Sequence, residues 1–396
     1  MSTTTTMRDP SLSPVDLLGL DADLGDEERL VRDTTRAFVR KELLPHVADW
    51  FEEGTLPREL APRIGALGLL GMHLDGYGCA GASPVAYGLV CAELEAGDTG
   101  LRSLVSVQGS LAMFPIWKFG SEEQKQEWLP RMATGEVVGC FGLTEPDAGS
   151  DPGSMRTTAR RDGSDWILNG TKMWITNGSI ADVAIVWAQT EEGIRGFIVP
   201  TDTPGFATQD IHRKLSLRAS VTSELLLEDV RLPESAMLPG ARGLGAPLTV
   251  LGEARLGIVF GVTGAARACL ESAIEYARTR VQFDRPIGAF QLTQGKLADM
   301  AARVAAGQLL ALRLGRMKEA GTLKPEHVSL GKYANVSSAL EVARTARTIL
   351  GANGITLEYP VMRHAANLET VLTYEGTHEV HALVLGRGLT GLNAFS

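Results

Sequence analysis

Glu375 lies in Val371-Leu372-Thr373-Tyr374-Glu375-Gly376-Thr377, a mostly apolar stretch with a glycine beside the acid and a helix boundary close by. A carboxylate in a water-poor cleft has a raised proton affinity, which suits a general base that takes a weakly acidic proton from carbon. The local residues alone favour a plainer role, a helix-capping acid. Arg102-Ser103, between Leu101 and Leu104, offers a fork of donors that would hold a carboxylate by parallel hydrogen bonds at the end of an apolar pocket. It fits a solvated helix edge as well. The stretch FGLTEPDAGSDP, residues 141–152, brings Gly, Thr, Ser and Asp to a strand exit. Amides and short hydroxyls there would hydrogen-bond a flat polar heterocycle or phosphates. Taken with Trp174-Ile175-Thr176, an indole beside a hydroxyl, it reads as a cleft for an aromatic cofactor.

Two further motifs favour plainer readings. Gly76-Tyr77-Gly78-Cys79-Ala80-Gly81 matches GxGxxG, with Asp98 downstream at the distance of a ribose partner. Only Met72-His73-Leu74 precedes it as a strand, so a glycine-permitted turn between helices is the better reading than a nicotinamide site. His378 and His381, three residues after Glu375 and three apart, have chelating spacing, but no second acid–histidine cluster accompanies them. Helix packing or hydrogen bonding is the default for both, and no metal site is expected.

The elements that must position these residues fall into three textures. From Pro14 to about residue 136 the pattern is helical, with caps at Ser83-Pro84 and Ser121-Glu122-Glu123. Residues 137–241 change to short β-branched and aromatic runs: Val183–Ala188, Gly196–Val199, Leu225–Leu232, and Trp166–Thr176 with Asn169-Gly170 at its centre, a hairpin signal. In residues 242–396, Pro286, Pro325 and Pro360 divide segments that would each hold one helix. Leu297, Met300, Ala301 and Val304, like Val336, Ala339, Leu340 and Ala343, form core-facing stripes. The expected fold class is a multidomain α+β chain with an N-terminal α-helical domain, a central β-sheet or barrel domain and a C-terminal four-helix bundle. A length of 396 residues allows that many domains.

Composition narrows the partners. There are 38 Lys+Arg against 47 Asp+Glu, a formal charge of −9, and no basic run, which argues against nucleic acid or an anionic membrane surface as partner. The longest run free of charged residues, Gly76–Ala92, is short and broken by Pro84 and glycines, so no membrane span is expected. Four scattered cysteines signal neither zinc nor a disulfide framework. Residues 1–13, MSTTTTMRDPSLS, read as a disordered tail on a cytoplasmic protein.

The chain resembles the acyl-CoA dehydrogenase family from about Asp21 to its end, and within it the branch that acts on glutaryl-CoA. The blocks that carry this are GYGCAGASPVAYGL (76–89), RSLVSVQGSLAMFPIWKFGSEEQKQEWLP (102–130), GCFGLTEPDAGSDPGSM (139–155), LNGTKMWITN (168–177), KLSLRAS (214–220) and TYEGTHEVHALVLGR (373–387). The resemblance implies noncovalent FAD lined by Phe141, Leu143, Thr144, Gly149 and Ser150, with Trp174, Ile175 and Thr176 against the flavin ring and Thr377 touching it from the bundle. Arg280, Gln282, Phe283, Gln291, Gly351 and Gly354 match segments that hold the pyrophosphate and adenosine across a subunit interface, which implies a homotetramer built as a dimer of dimers. Asp284, Ala352 and Asp147-Ala148 depart from the family's usual residues.

On the same resemblance Glu375 matches the catalytic base, its backbone amide helps to hold the thioester carbonyl, and an electron-transfer flavoprotein takes the electrons. The acyl-CoA substrate would meet Leu251, Arg255, Tyr374, Gly376 and Ser150, while Glu95, Arg102 and Ser103 match a grip on the distal carboxylate of a five-carbon dicarboxylyl group. The implied reaction is α,β-oxidation of glutaryl-CoA in lysine and tryptophan breakdown in a bacterium, with decarboxylation to crotonyl-CoA. A related enzyme on another short-chain or acidic acyl-CoA, non-decarboxylating or desulfinating, stays open.

Overall fold

The computed structural model describes residues 13–394, so most of the expected N-terminal tail lies outside the described residues. The first part is helical: α1 (Asp26–Phe38), α2 (Leu44–Glu53), α3 (Leu60–Gly65), α4 (Pro84–Gly97), α5 (Thr99–Ser106), α6 (Phe114–Phe119) and α7 (Glu122–Ala133). A π-helical segment, Val107–Met113, joins α5 to α6. Both expected caps are present. Ser83 Oγ accepts from Ala86 N, and Ser121 and Gln124 form a reciprocal capping box at the start of α7. Gly76–Gly81 is a turn between α3 and α4, with positive φ at Gly76, Tyr77, Gly78 and Gly81. Asp98 is not free to meet a ribose, because its carboxylate caps α5 through Gly100 N at 2.7 Å.

The middle part is a seven-stranded sheet of β1 (Gly139–Gly142), β2 (Thr158–Asp162), β3 (Asp165–Thr176), β4 (Val183–Thr190), β5 (Gly193–Pro200), β6 (Phe206–Asp210) and β7 (Thr222–Pro233). The order is β1-β4-β2-β3-β7-β6, with β5 antiparallel to β4. The expected hairpin at Asn169-Gly170 is not there. Those residues lie inside the continuous strand β3, at a register shift against β7, and the turn falls instead between β2 and β3. Gly170 takes φ +149°, and a Cβ there would lie 2.4 Å from Thr157 Oγ1. Asn169 bonds across to Asp229 through its side chain, so the pair builds a bulge rather than a reversal.

The last part comprises α8 (Gly245–Thr279), a small hairpin of β8 (Val281–Gln282) and β9 (Arg285–Pro286), then α9 (Gln291–Glu319), α10 (Pro325–Leu350), α11 (Val361–Thr373) and α12 (His378–Thr390). The segment after Pro360 holds two helices rather than one, because the chain enters the left-handed region at Glu375 and Gly376. Helix α8 is long and apolar enough to cross a membrane by length and composition, although Glu253, Arg255 and Arg267 interrupt its apolar run. Its burial accounts for that hydropathy, since 67% of its most apolar window is packed inside the fold. One apolar cluster joins all three parts, with Leu111 and Phe114 from the first, Phe141 and Trp187 from the sheet, and Val250 and Ala254 from α8.

Candidate functional site

The break between α11 and α12 carries the candidate base. Tyr374 ends α11 in an extended conformation, Glu375 has φ +52° and Gly376 φ +95°, and Thr377 Oγ1 caps α12 by accepting from Val380 N. A left-handed non-glycine residue costs about 1–2 kcal/mol and persists only where its surroundings hold it. The holders are cationic. Arg255 Nε donates to the Glu375 carbonyl at 2.7 Å, and Lys332 Nζ donates to the carbonyls of Tyr374 and Gly376. Glu375 is half-buried as a residue, yet its Oε2 is shut off from solvent and has no hydrogen-bond partner. Burial pushes its carboxyl above the usual range, against the opposing pull of Arg102, Lys332 and Arg255. Burial likewise pushes the Lys332 ammonium down.

Arg102 on α5 adjoins this turn from the N-terminal part. It is 1% exposed; its Nε meets Glu95 Oε2 at 2.7 Å, and its terminal nitrogen bonds the Tyr374 hydroxyl. Glu95 also accepts from Thr99 Oγ1 at 3.1 Å, and burial raises its carboxyl above the usual range although Arg102 opposes this. Glu95 and Tyr374 occupy two of the five N–H donors of Arg102, which leaves others for a ligand. Ser103 Oγ is buried with no partner, an unanswered hydroxyl beside the guanidinium-bearing residue. The solvated-edge reading of Arg102-Ser103 is thereby excluded.

The cofactor-side residues are organised by β3. Met173 N donates to the Thr144 carbonyl at 2.8 Å, and the buried Lys172 Nζ reaches the Leu143 carbonyl at 3.2 Å and Glu145 Oε1 at 2.7 Å. Glu145 in turn accepts from the backbone of Arg156 and Thr157, so the 143–150 loop is pinned to the strand. Burial lowers the Lys172 ammonium to about 8. Phe141, Leu143 and Ile175 are buried, Thr144 and Thr176 half-buried, and Gly149 and Ser150 exposed, with open space where a Gly149 side chain would stand. Trp174 turns out of the strand at φ +63° and is 56% exposed. A large indole left uncovered on the strand that pins the 143–150 loop fits a flat aromatic partner. Leu251, one turn before Arg255 on α8, packs on the cluster that contains Leu143.

The remaining candidates do not join this site within one chain. Arg280, Gln282, Phe283 and Gln291 are exposed, beyond the far end of α8, about 37 Å of helix from Arg255 at 1.5 Å per residue. Gly351 and Gly354 share that end, because Asn353 Nδ2 bonds the Tyr276 hydroxyl at 3.0 Å. His378 stacks on Tyr333, and His381 Nδ1 meets Ser329 Oγ at 3.1 Å, so both histidines have packing partners. Sequence reasoning missed Lys332. Its signal was available, since it stands four residues before Val336 on the buried stripe of α10.

Family models match all three parts in order: the acyl-CoA dehydrogenase N-terminal domain over residues 25–136, the middle domain over 140–230 and the C-terminal domain over 241–390. The human mitochondrial short-chain specific acyl-CoA dehydrogenase is 37% identical over 371 residues, covering 92% of this chain and 90% of that protein. A crystal structure of glutaryl-CoA dehydrogenase from Mycobacterium smegmatis superposes with a TM-score of 0.96 at 68% identity, covering 97% of this chain and 100% of that one. A second glutaryl-CoA dehydrogenase structure from the same organism, in complex with FADH2, gives 0.96 at 62% identity, covering 98% and 100%. Three domain matches in one order, with a relative 37% identical across about nine-tenths of both chains, show that the chain belongs to the acyl-CoA dehydrogenase family.

Proposed function

We propose that the chain is an FAD-dependent glutaryl-CoA dehydrogenase that oxidises the α,β bond and releases carbon dioxide to give crotonyl-CoA. The observation that carries this is Arg102, fully buried against Glu95 and bonded to the residue next to the base. Glu95 and Tyr374 leave N–H donors of Arg102 unclaimed; a plain fatty-acyl chain would leave these and Ser103 Oγ unanswered, whereas a distal carboxylate would accept from them. The high identity to two glutaryl-CoA dehydrogenases supports the same substrate.

Phe141, Leu143, Thr144, Gly149, Ser150, Trp174–Thr176 and Thr377 would hold FAD, which would supply a two-electron acceptor for the β-hydrogen leaving as hydride. Glu375 takes the α-proton, its proton affinity raised by burial. Its backbone N–H hydrogen-bonds the thioester carbonyl as negative charge develops there. Arg102 and Ser103 orient the distal carboxylate, and Arg255 with Leu251 lines the approach of the CoA thioester. Loss of carbon dioxide from the oxidised acyl group leaves an allylic anion conjugated with the thioester, which Glu375 reprotonates with the proton it removed.

Arg280, Gln282, Phe283, Gln291, Gly351 and Gly354 would serve the cofactor of a neighbouring subunit, in keeping with the homotetramer that the family resemblance implies. Electrons leave to an electron-transfer flavoprotein, and the setting is bacterial cytoplasm. Anaerobic glutaryl-CoA should bleach the oxidised flavin, and product analysis should find crotonyl-CoA. Bleaching by butyryl-CoA but not glutaryl-CoA rejects the substrate; accumulation of glutaconyl-CoA rejects the decarboxylation.

A further inference from the structure

Three consecutive backbone carbonyls in the base-bearing turn are each taken by a cationic side chain: Tyr374 and Gly376 by Lys332, and Glu375 by Arg255. Lys332 is 2% exposed, occupies a core position of α10, donates to the Gly376 carbonyl at 2.6 Å and stands 5.7 Å from the centroid of the Tyr374 ring. A lysine stripped of its hydration persists in a core only where the fold supplies acceptors and a countercharge. Here two carbonyls and the Glu375 carboxylate do so.

In a trans peptide the carbonyl of one residue and the N–H of the next point in opposite directions. Holding the Tyr374 carbonyl toward α10 therefore aims the Glu375 N–H away from α10. The Gly376 carbonyl, held by the same ammonium, closes the other side of the left-handed residue. Arg255 alone would fix only the peptide between Glu375 and Gly376.

We propose that Lys332 is a positioning residue for the reaction: it locks the left-handed turn so that Glu375 and its backbone N–H address the substrate, and it provides the cation against which the base ionises. This rests on the reading of Glu375 as the base. The other charged or titratable groups that face Glu375 are Arg102 on α5 with its partner Glu95 on α4, Arg255 on α8, Tyr374 beside it and His381 on α12. Burial drives His381 down to about 3, so it is neutral at working pH, and the two arginines stay charged. Lys332, pushed by burial to about 7, is the cation of this set whose charge changes near neutrality.

The test uses full-length, FAD-loaded K332M and K332Q, checked by circular dichroism and flavin content, with K332R as the charge-conserving variant. K332M should slow flavin reduction by glutaryl-CoA about 100-fold, the usual effect of misplacing a reacting group, with little change in KM. Removing the cation raises the proton affinity of the base, so the acid limb of the kcat/KM profile moves to higher pH in both K332M and K332Q. K332Q keeps a donor for the carbonyls and should retain more of the rate, and K332R should restore the acid limb. An unmoved acid limb with a wild-type rate in K332M and K332Q overturns the proposal. If wild-type enzyme is not reduced by glutaryl-CoA, the functional reading fails separately. A crystal structure of K332M then decides the turn: carbonyls of Tyr374 and Gly376 rotated away from α10 support the proposal, and an unmoved turn overturns it.

Discussion

Glu375→Gln keeps the size of the base and its carbonyl bond to Arg255 but removes its ability to accept a proton. The variant should bind FAD and acyl-CoA normally and lose at least about 100-fold in the rate of flavin bleaching, the lower end for a general base. Arg102→Ala should act on two quantities at once. It leaves Glu95 buried without its partner, at a cost of roughly 3–5 kcal/mol read from denaturant unfolding. It should also harm glutaryl-CoA turnover far more than butyryl-CoA turnover; equal losses on both would show that the arginine does not read the distal acid. Both residues stood out in the sequence as charged groups among apolar neighbours, but that context alone favoured plainer roles, and the family resemblance carried the assignment. Lys332 was no less anomalous, but its significance depends on a turn more than forty positions away, and no local pattern links α10 to that turn.

Between elements, the site depends on how closely α8 approaches α4. Gly261 lies where a Cβ would be 2.2 Å from Glu95 Oε2 and 3.3 Å from Arg102 Nε, and Gly264 where one would be 1.8 Å from the Ala92 carbonyl. Glycine there lets the bundle close over the ion pair, which explains how two charged side chains reach near-zero exposure. Gly261→Ala should lower the melting temperature, in line with an overpacking cost of about 1–3 kcal/mol, and reduce the kcat/KM ratio of glutaryl-CoA to butyryl-CoA. A stable variant with the wild-type ratio would separate the helix contact from specificity. Helix positions and caps were readable from periodicity and capping chemistry, as at Ser83 and Ser121. Asn169-Gly170 misled because the dipeptide that makes a two-residue turn also makes a bulge, and pairing with β7 decides between them. The helix break at Glu375 was visible only as a boundary, since what holds it is tertiary: Arg255 on α8 and Lys332 on α10 take three consecutive carbonyls.

Across the whole molecule, the three parts meet at one buried knot. Asp98, between α4 and α5, pairs with Arg363 and accepts from Asn367 Nδ2 at 2.9 Å, while Asn367 Oδ1 accepts from Leu217 N at 2.7 Å in the loop that leads to β7. The proposed site would depend on the same juxtaposition, because Arg102, Trp174 and Glu375 come from different parts. The order of those parts was readable from texture; their mutual contact was not, since Leu217 and Asn367 look unremarkable in sequence and Asp98 stood out only by its spacing from the GxGxxG motif. The length of α8 has a consequence for heredity. With Arg255 near one end and Arg280 beyond the other, a chain in the proposed tetramer gives its base to one site and its adenosine-side residues to another. Glu375→Gln and Arg280→Ala would then be lesions in different halves of a shared site. Co-expressed, the two defective alleles should form mixed oligomers in which some sites inherit both intact halves, so activity returns where neither homomer has it. A mixture as inactive as its parents would show that each chain completes its own site.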